Sequence, residues 1–431
     1  MIGLFFNLFM VILTIIAIMK TVQKNYNELF FFYYVNNKNP IMNTTILECT
    51  KVLHNEMKEW MEHLHQSPEL AMQEAETSKF IAEKVKYFGF DVVEGVGKTG
   101  IVASMTVGDG GKSIGLRADF DALPIQEVND LQYKSKVEGK AHLCGHDGHT
   151  AMLLGAAKYL SETMNFNGTV RLIFQPGEET MEGGPAMIKD GLFERFPVDA
   201  VYGMHNMPGL EIGKFYFYDG EMMAAVDNWE IEIIGKGSHG SMPELGIDPI
   251  VCGSSLVMVM VMALQTIVSR NVSPWQNSVI SVGAFISGNA GNVVPQNAIL
   301  RLSIRNMDSK LREMVLNKVC SITKSQAEAF NCHYEIREGI LGAVLVNTPE
   351  NTQWAANVAR DIFGEGKVVY PGNPYMGSED FAFMLQKKPG SYCMLGNGDT
   401  FMVHHPNYVF NQDILPLGAA YWVGLTEEYL K

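Results

Sequence analysis

The sequence predicts an α/β fold: a catalytic domain built on a mixed sheet flanked by helices, interrupted by a smaller α+β domain. Three observations predict it. Strand-length apolar runs alternate with helical periodicities through the first half, which argues for a sheet covered on both faces. From about residue 223 the pattern changes, and Trp229-Glu230-Ile231-Glu232-Ile233 alternates apolar and polar residues, the mark of an antiparallel strand with one wet face. The chain has 431 residues, 47% of them hydrophobic, enough for two or three domains with packed cores.

Taken in order, residues 46–65 read as an amphipathic helix and 74–88 as a second, ending at Gly89. Ser113–Ala118 is a strand running into Asp119-Phe120-Asp121. Residues 150–162 are apolar nearly all round and so form a buried helix. Thr169–Phe174 is a strand stopped by Pro176-Gly177, and Asp199–Met204 is another. After the Trp229–Ile233 strand comes a long apolar helix, about 249–269, then strands at 278–286 and 298–305. The second of these sets Leu300, Leu302 and Ile304 against Arg301, Ser303 and Arg305. A helix over 309–330 and a strand over 332–337 complete the order β-α-β-β-α-β, the ferredoxin-like split βαβ. The organisation expected is therefore an N-terminal extension (1–41), then a catalytic domain made of two separate segments (42–222 and 338–431), with the smaller domain (223–337) inserted between them.

The formal net charge is −14, which excludes nucleic acid as the expected partner, because phosphate binding needs clustered Lys and Arg. The six cysteines are Cys49, Cys144, Cys252, Cys320, Cys332 and Cys393, scattered singly. That is no disulfide framework, and it points to a reducing, cytoplasmic setting. Residues 1–19 carry no charge and are followed by Lys20 and Lys24. The run is close to the lower length limit for a membrane span and lacks a clear signal-peptide pattern. It reads equally as a membrane anchor and as an upstream extension with Met42 as the true start.

The chemistry concentrates in Cys144-Gly145-His146-Asp147-Gly148-His149. Thiolate and imidazole suit zinc and other transition metals; alone, the segment fits a metal site and a buried helix start about equally. Other strands deliver polar groups at their ends: Asp119 and Asp121, Glu178 and Glu179, and His205. Ligands of open α/β sheets bind beyond the carboxyl ends of the strands, so these groups are expected to converge. Glu178 and Glu179 would repel each other in a dry pocket unless a cation lies between them. One can bind a metal while the other acts as a base on water, which is metal-assisted hydrolysis.

The chain resembles the M20 metallopeptidase-like amidohydrolases, in the branch of hippurate, N-acyl-amino-acid and auxin-conjugate hydrolases. The resemblance runs from about Met42 to the C-terminus. It rests on Leu64–Leu70, Arg117–Ile125, Cys144–His149, Phe174–Glu179, Gly235–Pro243, Asn292–Pro295, Met376–Phe381 and His404–Tyr408, in that order. It implies cleavage of N-acyl or N-aroyl amino acids with two divalent metal ions, Zn or Mn, with Co or Ni as alternatives. Cys144, His146, Glu179, His205 and His404 match the metal ligands, with Cys144 bridging; His405, next to His404, is the competing match. Glu178 matches the general base on a metal-bound water and Asp121 the carboxylate that orients the site. The inserted domain matches a lid and dimerisation domain, so a homodimer or higher homo-oligomer is implied. His239 would polarise the scissile carbonyl, often from the partner subunit. Asn292 and Arg305 match groups that hold the substrate carboxylate, although Arg305 reads equally as an exposed strand residue. The chain departs from the family pattern at Gly177, where Ala is usual, and at Val409 and Gln412. A deacetylase of the N-acetyl-diaminopimelate type, a dipeptidase and a catalytically silent binding protein on the same scaffold are the competing functions.

Overall fold

The structure is a computed structural model that describes residues 46–258 and 276–431. The N-terminal extension, and residues 259–269 of the long apolar helix, lie outside the described residues.

The main sheet has eight strands: β1 (Asp91–Val96), β2 (Gly100–Val107), β3 (Ser113–Asp119), β4 (Gly168–Gln175), β5 (Ala200–Pro208), β6 (Phe215–Tyr216), β15 (Val368–Val369) and β16 (Gly390–Gly398), in the order β1-β2-β4-β3-β5-β16-β6-β15. The central four, β4, β3, β5 and β16, are parallel. β2 on one side and β6 on the other run antiparallel to them, so the sheet is mixed. Register sets Leu116 opposite Leu172 and Tyr202. β3 is buried from Ile114 to Asp119, because helices cover both faces and leave no wet side to alternate with.

One face packs Leu116, Leu172 and Tyr202 against helices α1 (Ile46–Val52), α2 (His54–Gln66), α3 (Ala75–Tyr87) and α4 (His146–Thr163), together with two helices from the far end of the chain. The other packs Ile173 and Val201 against Met187 of α5 (Gly183–Lys189) and Leu192 of α6 (Leu192–Arg195). Two sequence expectations shift. The single helix over 46–65 is two helices meeting at Leu53, where Leu53 N donates to Thr50 O and the Thr50 hydroxyl is drawn to Pro416 O at 3.0 Å. The strand expected to stop at Met204 continues to Pro208, so His205 lies within β5 rather than beyond it.

A second sheet is fully antiparallel: β8 (Ala225–Ile234), β10 (Ser278–Ser287), β12 (Asn297–Asn306) and β13 (His333–Leu341), in the order β10-β12-β8-β13. Trp229, Ile231, Ile233, Leu300, Leu302 and Ile304 form its buried side. A helix over residues 249–258 (α7) and α8 (Ser309–Ala329) pack there through Cys252, Leu256, Leu311, Val315 and Val319. The opposite side carries Glu230 and Glu232 paired with Arg301 and Arg337. Short strands β7 (Gly220–Met223), β9 (Ser238–His239), β11 (Val293–Val294) and β14 (Leu345–Asn347) make two small ladders, β9 with β11 and β7 with β14. The chain closes through α9 (Pro349–Phe363), α10 (Phe381–Leu385) and α11 (Leu415–Tyr429); α9 and α11 complete the first face of the main sheet, and α10 the second.

Candidate active site

The carboxyl ends of the four parallel strands meet in one crevice. β3 leads to Asp121, β4 leads through Pro176-Gly177 to Glu178 and Glu179, β5 carries His205, and the loop after β16 carries His404. Cys144 and His146 come from the start of α4. Gly145, at φ 97°, turns the chain there in a conformation that disfavours other residues, and α4 begins on His146 itself.

Ligand atoms of Cys144, His146 and His205 lie within 4.8 Å of one another, and so do those of Cys144, Glu179 and His404. Cys144 belongs to both sets. Its Sγ is 3.4 Å from His205 Nε2, and Glu179 Oε2 is 3.3 Å from His404 Nε2. Asp121 ties two of these groups together: Oδ1 faces His146 Nδ1 at 3.1 Å and Oδ2 accepts from Glu179 N at 2.9 Å. His205 Nδ1 faces the Asn206 carbonyl. Both imidazoles therefore spend Nδ1 on an oxygen and turn Nε2 inward, the orientation that ligating histidines take. His404 sits at φ 68°, a conformation few histidines adopt; its N–H donates to Leu143 O at 2.7 Å, one residue before Cys144.

The donor chemistry fits divalent cations. His146 Nε2 and Glu179 Oε1 are buried with no hydrogen-bond partner, an expensive state for polar atoms. Burial, then Glu179 and Glu178, hold the Cys144 thiol well above its ordinary pKa. Burial alone would depress His146, but Asp119, Asp121 and Glu179 outweigh it and raise it to about 10. The cluster is short of positive charge, which a divalent metal ion held by these donors would supply. Glu178 is buried beside these groups, with Oε2 4.0 Å from His146 Nε2. Burial, followed by Glu379, Glu179 and Asp380, raises it well above the ordinary carboxylate range.

Two networks hold the crevice from behind. In the first, Tyr408 donates to Asn206 Oδ1 (2.6 Å), Asn206 Nδ2 donates to Cys144 O (2.7 Å), and the Asn206 backbone N–H donates to His149 Nε2 (3.0 Å). His149 Nδ1 then donates to Asp119 Oδ1 at 2.6 Å. In the second, buried Arg117 donates to Asp119 (2.7 Å), Glu379 (2.8 Å), Asp380 (3.1 Å) and Gln175 (2.9 Å). Burial alone would raise Asp119, but His146 and Arg117 overcome it and hold the carboxyl well below its usual range.

The structure brings Cys144, His146, Glu178, Glu179, His205, His404 and Asp121 together. His405 turns away: its ring stacks on Phe401 at 4.3 Å. His239 is exposed, and its Nδ1 engages Ser241 of its own turn. Asn292 is exposed beside that turn, with its carbonyl accepting from Gly240 N. Arg305 is half-buried and donates to Met376 O (2.8 Å) and Ser378 Oγ (3.3 Å). Sequence reasoning gave no role to Asn206, Arg117, Glu379 or Asp380; Asn206 gives no signal in one sequence beyond following His205.

A parallel-sheet crevice with these donors and a buried carboxylate beside them has the groups that a metal-dependent hydrolase needs. The chain belongs to peptidase family M20/M25/M40, whose pattern matches residues 115–428. It is 44% identical over 379 residues to the hippurate hydrolase of Campylobacter jejuni, covering 88% of this chain and 98% of that protein. It is 38% identical over 363 residues to the N-acetyl-L-cysteine deacetylase of Bacillus subtilis, covering 84% of this chain and 85% of that protein. Among solved structures it is similar to the Bacillus subtilis YXEP protein, described as a dinuclear metal-binding peptidase of the M20 family. That match has a TM-score of 0.74 at 30% identity and covers 88% of this chain and 99% of the other.

Proposed function

We propose that this enzyme hydrolyses the amide bond of N-acyl or N-aroyl amino acids, releasing a carboxylic acid and an amino acid, with Glu178 as general base. The observation that carries the reading is the pair of donor sets sharing Cys144, with Glu178 buried against them. Its relatives named for hippurate and for N-acetyl-cysteine hydrolysis support the substrate class.

Cys144, His146, Glu179, His205 and His404 would hold two divalent ions, and Cys144 belongs to both donor sets. Such ions, when bound, acidify water and polarise a carbonyl. Glu178 takes the attacking water's proton and passes it to the leaving nitrogen; its burial strengthens it as a base and suits both transfers. Asp121 keeps His146 and Glu179 aligned. His239 donates to the developing oxyanion from a partner subunit, a reading supported by its exposure and by a ring whose Nδ1 meets Ser241 of its own turn. Arg305 and Asn292 take the substrate carboxylate when the second sheet closes on the crevice, and Arg305 then exchanges Met376 O for a bidentate carboxylate.

The test is hydrolysis of hippurate and a panel of N-acetyl amino acids by full-length protein loaded with Zn or Mn. Activity that chelation abolishes, metal restores and Glu178→Ala removes is expected. Equal inertness of metal-free and loaded protein across the panel would refute the reading and favour a silent binding protein.

A further inference from the structure

Glu74 lies outside every group given a role above, and it is fully buried immediately before α3. A carboxylate in that position needs donors, and it has three. Oε1 accepts from Met72 N at 2.8 Å and from Gly177 N at 2.9 Å; Oε2 accepts from the Thr99 hydroxyl at 2.7 Å. Gly177 is the residue before Glu178, so a side chain from the first helical layer grips the peptide that carries the proposed base.

The rest of that turn shows what the grip accomplishes. Gly177 O accepts from Glu182 N (3.2 Å) and Gly183 N (3.1 Å), and Glu178 O accepts from Met181 N (2.8 Å). The Gly183 bond joins the turn to the start of α5, which Asp380 Oδ2 holds through Gly184 N at 2.7 Å. Two side chains from other elements bind the backbone N–H groups on either side of Glu178: Glu74 on Gly177 N and Asp121 on Glu179 N (2.9 Å). They bracket Glu178 from two sides. Gly177 has φ +58°, and a Cβ there would stand 2.6 Å from Met72 Sδ. The segment bearing Glu74 therefore fits this turn both sterically and by hydrogen bonding. Catalytic geometry tolerates little slack: misplacing a group by about 1 Å costs on the order of 10²-fold in rate.

We propose that Glu74 is a positioning residue: by clamping Gly177 N it fixes the peptide that aims Glu178 into the crevice. This rests on the proposed role of Glu178. Acceptance at Oε1 is what matters, so a glutamine can substitute. Its carbonyl accepts from Met72 and Gly177 while its NH₂ donates to the Thr99 oxygen.

The experiment uses full-length, metal-loaded protein with Glu74→Gln and Glu74→Met, read by kcat, KM, bound metal and deuterium exchange of the 174–184 segment. Glu74→Gln should stay within about threefold of wild type, as an intact acceptor implies. Glu74→Met should lose about 10²-fold in kcat with KM and metal content little changed, and the segment should exchange faster. Thr99→Val, which removes only the Oε2 tie, gives a milder version of the same pattern and serves where Glu74→Met does not fold. Wild-type kcat in Glu74→Met, unchanged exchange, or loss of activity in step with loss of metal would overturn the inference. Wild-type protein inert on every N-acyl substrate would sink the proposed function instead, while the exchange difference would still report the clamp.

Discussion

The two sheets treat charge in opposite ways. At the crevice of the main sheet, Asp119, Asp121, His146, Glu178, Glu379 and Asp380 are all buried, and carboxyl groups outnumber the basic groups that face them. On the second sheet most ionic residues line the open side, where Glu230 and Glu232 meet Arg301 and Arg337; its buried side is apolar at Trp229, Ile231, Ile233, Leu300, Leu302 and Ile304, and the buried carboxylate at its end, Asp227, is paired with Arg312 of α8. Buried charge with incomplete pairing costs stability and is retained where chemistry needs it. The difference therefore separates the region of the molecule whose chemistry suits ions from the region built to pack.

The largest effect is expected at Glu178, the proposed base. Glu178→Gln should lower kcat by about 10²–10⁴-fold while leaving metal content near wild type. Next comes the cation that the crevice already has. Arg117→Leu leaves Asp119, Glu379 and Asp380 without their shared partner and should destabilise the fold by about 3–5 kcal/mol, measured by denaturant unfolding. His239→Ala asks whether the small β9–β11 ladder supplies chemistry as well as packing. It should lower kcat by about 10²–10³-fold, and mixing it with inactive Glu178→Gln protein should restore some of the activity if His239 acts across subunits.

Glu427 on α11 shows burial acting on a carboxylate away from the crevice. Burial pushes it up to about 7 despite Asn165 and Lys431, and its Oε1 has no partner. The folded state thus favours the protonated form. Its contribution is fully present below the unfolded value near 4.5 and is lost as pH rises toward 7. Glu427→Gln should raise Tm by about 1–2 °C at about pH 8 and leave it nearly unchanged at about pH 4.5. The smallest effect belongs to the exposed ladder: Arg301→Gln should stay within about 1 °C of wild type, because exposed pairs contribute little.

Much of this arrangement was legible in the chain. Alternating Leu300, Leu302 and Ile304 against Arg301, Ser303 and Arg305 marked a half-exposed strand, and β12 has that pattern. The rule that parallel strands present ligands at their carboxyl ends placed Asp119, Asp121, Glu178, Glu179 and His205 in one crevice. What stayed hidden is what depends on distant segments meeting. The break at Leu53 arises from Thr50 reaching Pro416. Asn206 matters through Tyr408 and the Cys144 carbonyl, 202 and 62 residues away. Glu74 reaches Gly177 across 103 residues, a pairing that no local periodicity encodes. The usual alanine at Gly177 looked like a minor departure in the sequence; φ +58° and the Met72 contact show why glycine fits this turn.

The Cys144-centred donors are proposed to hold the ions on which amide hydrolysis depends. Metal-free full-length protein titrated with Zn or Mn, with bound metal and hippurate hydrolysis followed together, tests it most directly. Two ions per chain are expected, with hydrolysis rising as they load, and Cys144→Ala should reduce both. Full hydrolysis by chelated protein, or unchanged binding and activity in Cys144→Ala, would contradict it.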